Sequence, residues 1–169
     1  MRLTAGYSYP VPANQVATLL ADRDFLVEAA NAAGADAVQV DVSVEESGEF
    51  TVTTRAINPH TKLPLQMRPF LPHGLEIRLA QAWDTADSDG RRDGTMAGEI
   101  VGAPVQITGR IAITPTPGGS RFTFSGAVTA QVPLVGQAIE QAAEPAVMAY
   151  LEAQDRVARR WLTLAEPSA

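Results

Sequence analysis

The stretch from Val135 to Leu164 constrains this chain most. Wound as an α-helix, it sets Ile139, Ala143, Ala146, Tyr150, Gln154, Val157 and Trp161 on one face, with Ala142, Val147 and Leu164 beside them. Gln137, Gln141, Glu152, Asp155, Arg156, Arg159 and Arg160 take the far side. At about 1.5 Å per residue the helix reaches roughly 45 Å, the width of a small domain. A helix that long with one apolar face must lie along an equally long partner surface. Pro145 falls on its solvent side. There it removes one helical hydrogen bond and bends the helix around the core. The alternative is that Pro145 opens a second helix after a break.

The partner surface is a sheet, because the chain upstream alternates with period two. Leu3, Ala5, Tyr7 and Tyr9 share one face of a first strand that Pro10 and Pro12 end. Ala13 to Leu20 fits a short helix, and Asp22 caps a second one that runs to Ala33 and stops at Gly34. Val38, Val40, Val42 and Val44 then point one way, and Ser47-Gly48 turns the chain into a partner strand with Phe50, Val52, Thr54 and Ala56 inward. Leu75, Ile77, Leu79, Gln81 and Trp83 make the next inward set. A strand from Thr95 to Val101 leaves its faces undecided, with Glu99 on one and Ile100 on the other. Val105, Ile107, Ile111 and Ile113, and then Phe122, Phe124, Val128 and Val132, complete the inward set. One wet face per strand implies antiparallel pairing. Gly109 and Gly126, at inward positions, permit bulges and curvature.

The expected fold is therefore α+β: a seven-stranded curved antiparallel sheet gripping a long C-terminal helix, with two short helices between the first and second strands. With 169 residues, 46% of them hydrophobic, and no linker or repeat, residues 1–164 read as one domain and 165–169 as a tail. No run approaches a membrane span and no leader pattern is seen, which points to a cytoplasmic protein without stable membrane insertion. A net charge of −6 argues against nucleic acid as a partner.

Trp83 ending its strand, Gly102-Ala103-Pro104-Val105, Pro133-Leu134-Val135-Gly136 followed by Glu140, and the closing Trp161-Leu162 give the chain a resemblance. It resembles the START/Bet v 1-like superfamily, the helix-grip fold, and within it an uncharacterised, mainly actinobacterial domain family of unknown function. The likeness runs from Tyr9-Pro10 to Leu162. It implies a cavity under the C-terminal helix, where superfamily members mostly hold lipids, sterols or polyketides. Some members catalyse cyclisation or hydrolysis there, and others act on chaperones. It supplies no catalytic residue and no cofactor.

Chemistry-bearing residues are few. Cysteine is absent, which excludes thiolate metal sites and cysteine nucleophiles. His60 and His73 lie in the proline-rich connection 58–74, with no metal-ligand spacing around them. Asp84, Asp87, Asp89 and Asp93 miss the calcium-loop pattern at both ends and read as a solvated turn. Gln81, Glu99 and Gln154 are candidate interior polar groups. They either bond within the protein or orient a ligand's polar head. The expected site is a pocket for a hydrophobic small molecule. Its walls are Val40, Val52, Leu79, Trp83, Ile107, Ile111, Phe124, Val147 and Tyr150, its polar contacts Gln81 and Gln154, and its lid Met67 and Phe70. Small residues along the helix (Ala142, Ala143, Ala146, Ala153) would leave the space. The connection carrying the lid could equally be a loop packed on the core edge. Two other functions stay open: an enzyme using Glu99 or a histidine as general base, and an interaction module with a filled interior.

Overall fold

The computed structural model describes residues 1–165 apart from 64, 66, 67 and 70, with side chains through 163. Its elements are β1 (Arg2–Tyr9), α1 (Ala13–Leu20), α2 (Arg23–Ala32), β2 (Ala37–Val44), β3 (Phe50–Asn58), a 3-10 turn (His60–Lys62), β4 (Leu75–Trp83), β5 (Arg92–Ile100), β6 (Val105–Thr116), β7 (Gly119–Ala130) and α3 (Gly136–Ala165). The strands form one antiparallel sheet in the order β1-β7-β6-β5-β4-β3-β2. The two short helices carry the chain from one edge strand to the other. This is the helix-grip arrangement expected from the sequence.

Local chemistry sets the boundaries. The Asp22 side chain accepts a hydrogen bond from the Phe25 N–H at 3.1 Å and caps α2, and Gly34 ends it at φ +105°. Gly48, at φ +95°, turns β2 into β3. The Pro133-Leu134-Val135-Gly136 corner has a specific task. A Cβ on Gly136 would sit 2.4 Å from the Ala130 carbonyl oxygen, so α3 can start this close to β7 only with glycine. Glu140, one turn into α3, accepts the Ala130 N–H at 3.0 Å, which holds its carboxyl below the usual range. Leu134 bridges the corner at φ 71° with its side chain in solvent.

The inward faces pack as the alternation predicts, with exceptions. Val44 is exposed at the end of edge strand β2. The last strand stops at Ala130, so Val132 lies beyond it. The face of β5 is settled by register: Gly98 opposes Leu79 and Met96 opposes Gln81. Met96 and Ile100 therefore point inward and Glu99 outward. Gly109 and Gly126 do not make a bulge. They are direct partners in an unbroken ladder, and the Phe124 ring lies over both.

Pro145 lies exposed within a single 30-residue helix, so no second helix opens there. The buried arc of α3 is wider than the predicted stripe. Leu151, Ala153, Ala158 and Leu162 are buried, and the Asp155 side chain, placed on the solvent side by the pattern, is only 15% exposed. The reason is a second partner: α3 lies closest to α2, β7 and β1, so two of its sides are covered. Trp161 packs on α2 rather than the sheet, edge-on to Phe25 at 5.9 Å, and its indole N–H donates to Glu28. Arg160 pairs with the same carboxylate. The helix is thus drawn toward β1 and β7, and its distance from β3 and β4 positions the site.

Candidate functional site

Between α3 and strands β3 and β4 lies a cavity of about 140 Å³. The end of α2 supplies Ala30 and Ala33, β3 supplies Thr54 and Ala56, and β4 supplies Leu75, Ile77 and Leu79. From α3 come Ala146, Ala149 and Tyr150; buried Leu63 adds to the wall, and the more exposed Asn58 and Lys62 stand at the mouth. A gap of about 30 Å³ continues inward between Ile77, Leu79, Met96, Ile107, Phe124, Ala146, Val147, Tyr150 and Leu151. Another, of about 20 Å³, lies near the start of α3 between Leu71, Ile100, Val105 and Ile139. The walls are apolar because each strand shows the helix its inward face. The space exists because alanine occupies the helix positions opposite.

Tyr150 is the chemically distinctive wall. Its hydroxyl is buried and has no hydrogen-bond partner among the described residues. Burial alone pushes this phenol up to about 12, so it keeps its proton at any ordinary pH. At the mouth, the Lys62 ammonium pairs with Asp36 and the Asn58 amide donates to the Ala33 carbonyl at 3.2 Å. Both rim groups are already engaged.

The other expected site residues divide. Leu79 and Tyr150 line both the cavity and the inner gap, and Ile107, Phe124 and Val147 line the gap alone. Val40, Val52 and Ile111 are fully buried core away from these spaces. Trp83 stacks on Phe50 at 5.9 Å and donates its indole N–H to Gln81 at 3.1 Å, so Gln81 bonds within the protein. Gln154 is buried, with its side-chain oxygen unpartnered among the described residues, but lines none of these spaces. Met67 and Phe70 lie outside the described residues. Ala30, Ala33, Ala56, Ile77 and Ala149 were not anticipated. The i, i+3 spacing of Ala30 with Ala33, and of Ala146 with Ala149, was the signal available for them.

The candidate general bases stand elsewhere. Glu99 is exposed on the outer face of the sheet, 3.8 Å from Arg78. His73 is exposed, and neither histidine lines the cavity. Glu99 shares the outer face with an open depression of about 620 Å³, floored by Ala80, Ala97 and Thr108 and edged by Arg55 and Arg78. Among the described residues no cluster of three or more histidines or carboxylates is placed to hold a metal ion. No helix among them is long and apolar enough to cross a membrane.

A family model described as a protein of unknown function, DUF2505, matches residues 4–162. The chain belongs to DUF2505. An uncharacterised protein of Mycobacterium tuberculosis is 24% identical to this DUF2505 member over 130 residues, covering 76% of the chain and 74% of the relative. A START superfamily protein from Mycobacterium smegmatis superposes with a TM-score of 0.51 at 12% identity, covering 95% of this chain and 98% of that one. A protein from Rhodobacter sphaeroides superposes with a TM-score of 0.56 at 15% identity, covering 96% and 93%. The structural likenesses establish the helix-grip fold.

Proposed function

We propose that this DUF2505 protein binds a hydrophobic small molecule in the space between α3 and strands β3 and β4. One observation carries the reading: a cavity of about 140 Å³ walled by Leu75, Ile77 and Leu79 of the sheet and by Ala146, Ala149 and Tyr150 of α3. The fold class supports the same reading. Leu79, Ala146 and Tyr150 form the wall, with Ile107, Phe124 and Val147 behind it. A dry apolar cavity near 150 Å³ holds a benzene-sized molecule, whereas ligand pockets commonly span about 300–1,000 Å³. A lipid, sterol or polyketide therefore requires α3 to move away from β3 and β4.

Titration with benzene, followed by amide chemical shifts, tests the reading. Saturable shifts centred on Ala146, Tyr150 and Leu79 are expected. No saturation up to millimolar ligand, together with no small molecule retained in native mass spectrometry, would refute it. The modest volume favours a second reading, an interaction module with an essentially filled interior. That reading gains if the protein captures no small molecule yet binds a protein partner through an outer surface.

A further inference from the structure

We infer that one end of the fold docks on an anionic membrane surface. The contact is made by the β5–β6 turn and the β7–α3 corner, with Leu65 and Arg68 beside them. Topology defines this end: β3, β5 and β7 finish there, and β4 and β6 begin there. Among the described residues six large hydrophobic side chains are exposed. Ile57, Leu65, Val101, Leu134 and Val135 stand at this end, and only Val44 at the other. The segments meet: Leu71, Ala103 and Ile139 line one small gap, and the Gln131 N–H donates to the Pro104 carbonyl at 3.3 Å. Leu134 decides the reading. It is the one non-glycine with a positive φ among the described residues, and its side chain is fully exposed. Glycine would make the same corner without strain, so the leucine is explained by what it meets outside the chain.

Charge selects the partner. The turn 101–104 and the corner 131–138 hold no charged residue, and the connection 58–74 holds Lys62 and Arg68 with no carboxylate. Four carboxylates at this end are engaged: Asp36 by Lys62, Glu76 by Arg55, Glu99 by Arg78 and Glu140 by the N-terminal amine. Arg68 donates to the Leu63 and Thr61 carbonyls, and no carboxylate among the described residues cancels its charge. At the opposite end, turns 45–49 and 84–93 hold seven carboxylates against two arginines. The 12 residues of β6 separate the ends by about 40 Å, and salt screens charge over about 8 Å, so those carboxylates do not repel a surface met by the apolar end. Apolar side chains beside an uncancelled cation fit an anionic lipid surface, where leucine and valine enter the acyl boundary and arginine meets a headgroup. The inference needs no bound ligand and stands apart from the binding reading.

Co-sedimentation of the full chain with vesicles of phosphatidylcholine, alone or mixed with phosphatidylglycerol, tests it. Binding to the mixed vesicles is expected, and weaker binding to phosphatidylcholine alone. Leu134→Gly suits the corner's backbone and should weaken binding about ten-fold. Arg68→Gln should weaken it about five-fold on the mixed vesicles and leave phosphatidylcholine binding unchanged. Val44→Ser should change neither. Because the chain has no cysteine, an environment-sensitive dye on Val135→Cys reports this corner alone. Its emission should move to the blue on mixed vesicles, while the same dye on Val44→Cys holds. No binding to either vesicle, undiminished binding of Leu134→Gly, or equal shifts from the two dyes overturns the inference. So does lipid-free self-association that Leu134→Gly abolishes, which would give the patch to a second copy of the chain.

Discussion

Replacing Ala146 with leucine should stabilise the protein and close its cavity. Ala146 lines both the 140 Å³ cavity and the gap behind it, so a larger side chain has somewhere to go. Burying the extra carbons at about 0.8 kcal/mol per methylene yields roughly 2 kcal/mol. Lost rotamer freedom takes back about 0.5–1 kcal/mol, and the change in helix propensity is small. The net gain is about 1–1.5 kcal/mol, which for a chain of this size raises Tm by roughly 2–6 °C. The control is Ala153→Leu on the same helix. Ala153 is completely buried and faces none of the spaces described, so the same added group must overpack, at about 1–3 kcal/mol. Urea titration and calorimetry read both variants, and benzene titration reads the site. Destabilisation by Ala146→Leu, or undiminished benzene binding in that variant, would show that the space is not where the side chains place it.

Tyr150→Phe removes a buried hydroxyl that has no partner among the described residues, so without ligand it should not destabilise. A gain of up to about 1 kcal/mol in urea unfolding is expected, and a loss beyond about 0.5 kcal/mol would contradict the burial argument. Gly126→Ala places a methyl group 2.2 Å from the Thr108 backbone oxygen, so a loss of about 1–3 kcal/mol should follow. Gly98→Ala meets the movable end of Leu79 instead and should cost less; equal losses would show that backbone crowding is not the cause. Alkaline pH should destabilise the fold. Tyr150 ionises near 10 when unfolded and at about 12 when folded, so its contribution is complete below pH 10 and fades as the pH climbs toward 12. Burial also raises Tyr9, with Asp155 adding to it, which steepens the decline. Each such tyrosine contributes a slope of roughly 1.4 kcal/mol per pH unit, and a urea midpoint unchanged between pH 9 and 11 would refute the assignment.

The fold was legible because local signals agreed. Asp22 and Gly34 delimit α2, the period-two runs give six of the seven strands, and the α3 pattern tolerates Pro145. Facing was legible wherever large apolar residues alternate. It was not legible in β5, where Gly94, Thr95, Ala97 and Gly98 leave no contrast and only the register with β4 decides. The partner of Trp161 was not legible either, since one face of a helix does not say whether a sheet or another helix covers it. The site was half legible. Alanines on α3 do leave room opposite β3 and β4, but the glycines of β6 and β7 leave none, because Phe124 lies over them. Small residues in a sequence mark where volume is missing, and the large neighbours that fill it come from other strands. Gln81 shows the same limit: its indole partner is two residues away on the same strand, a pairing that alternation alone does not distinguish from a ligand contact.

The two tryptophans of this chain stand in separate structural seams. Trp83 is sealed in the sheet against Phe50 and Phe122, while Trp161 edges onto Phe25 where α3 meets α2. Their fluorescence therefore divides by place: a blue-shifted signal from the sheet and a redder one from the helix seam. If α3 swings out to admit a bulky guest, the Trp161 emission changes while that of Trp83 holds, and global unfolding moves both together. Opening of the grip can thus be timed in the unlabelled protein by replacing either indole with phenylalanine and following the other.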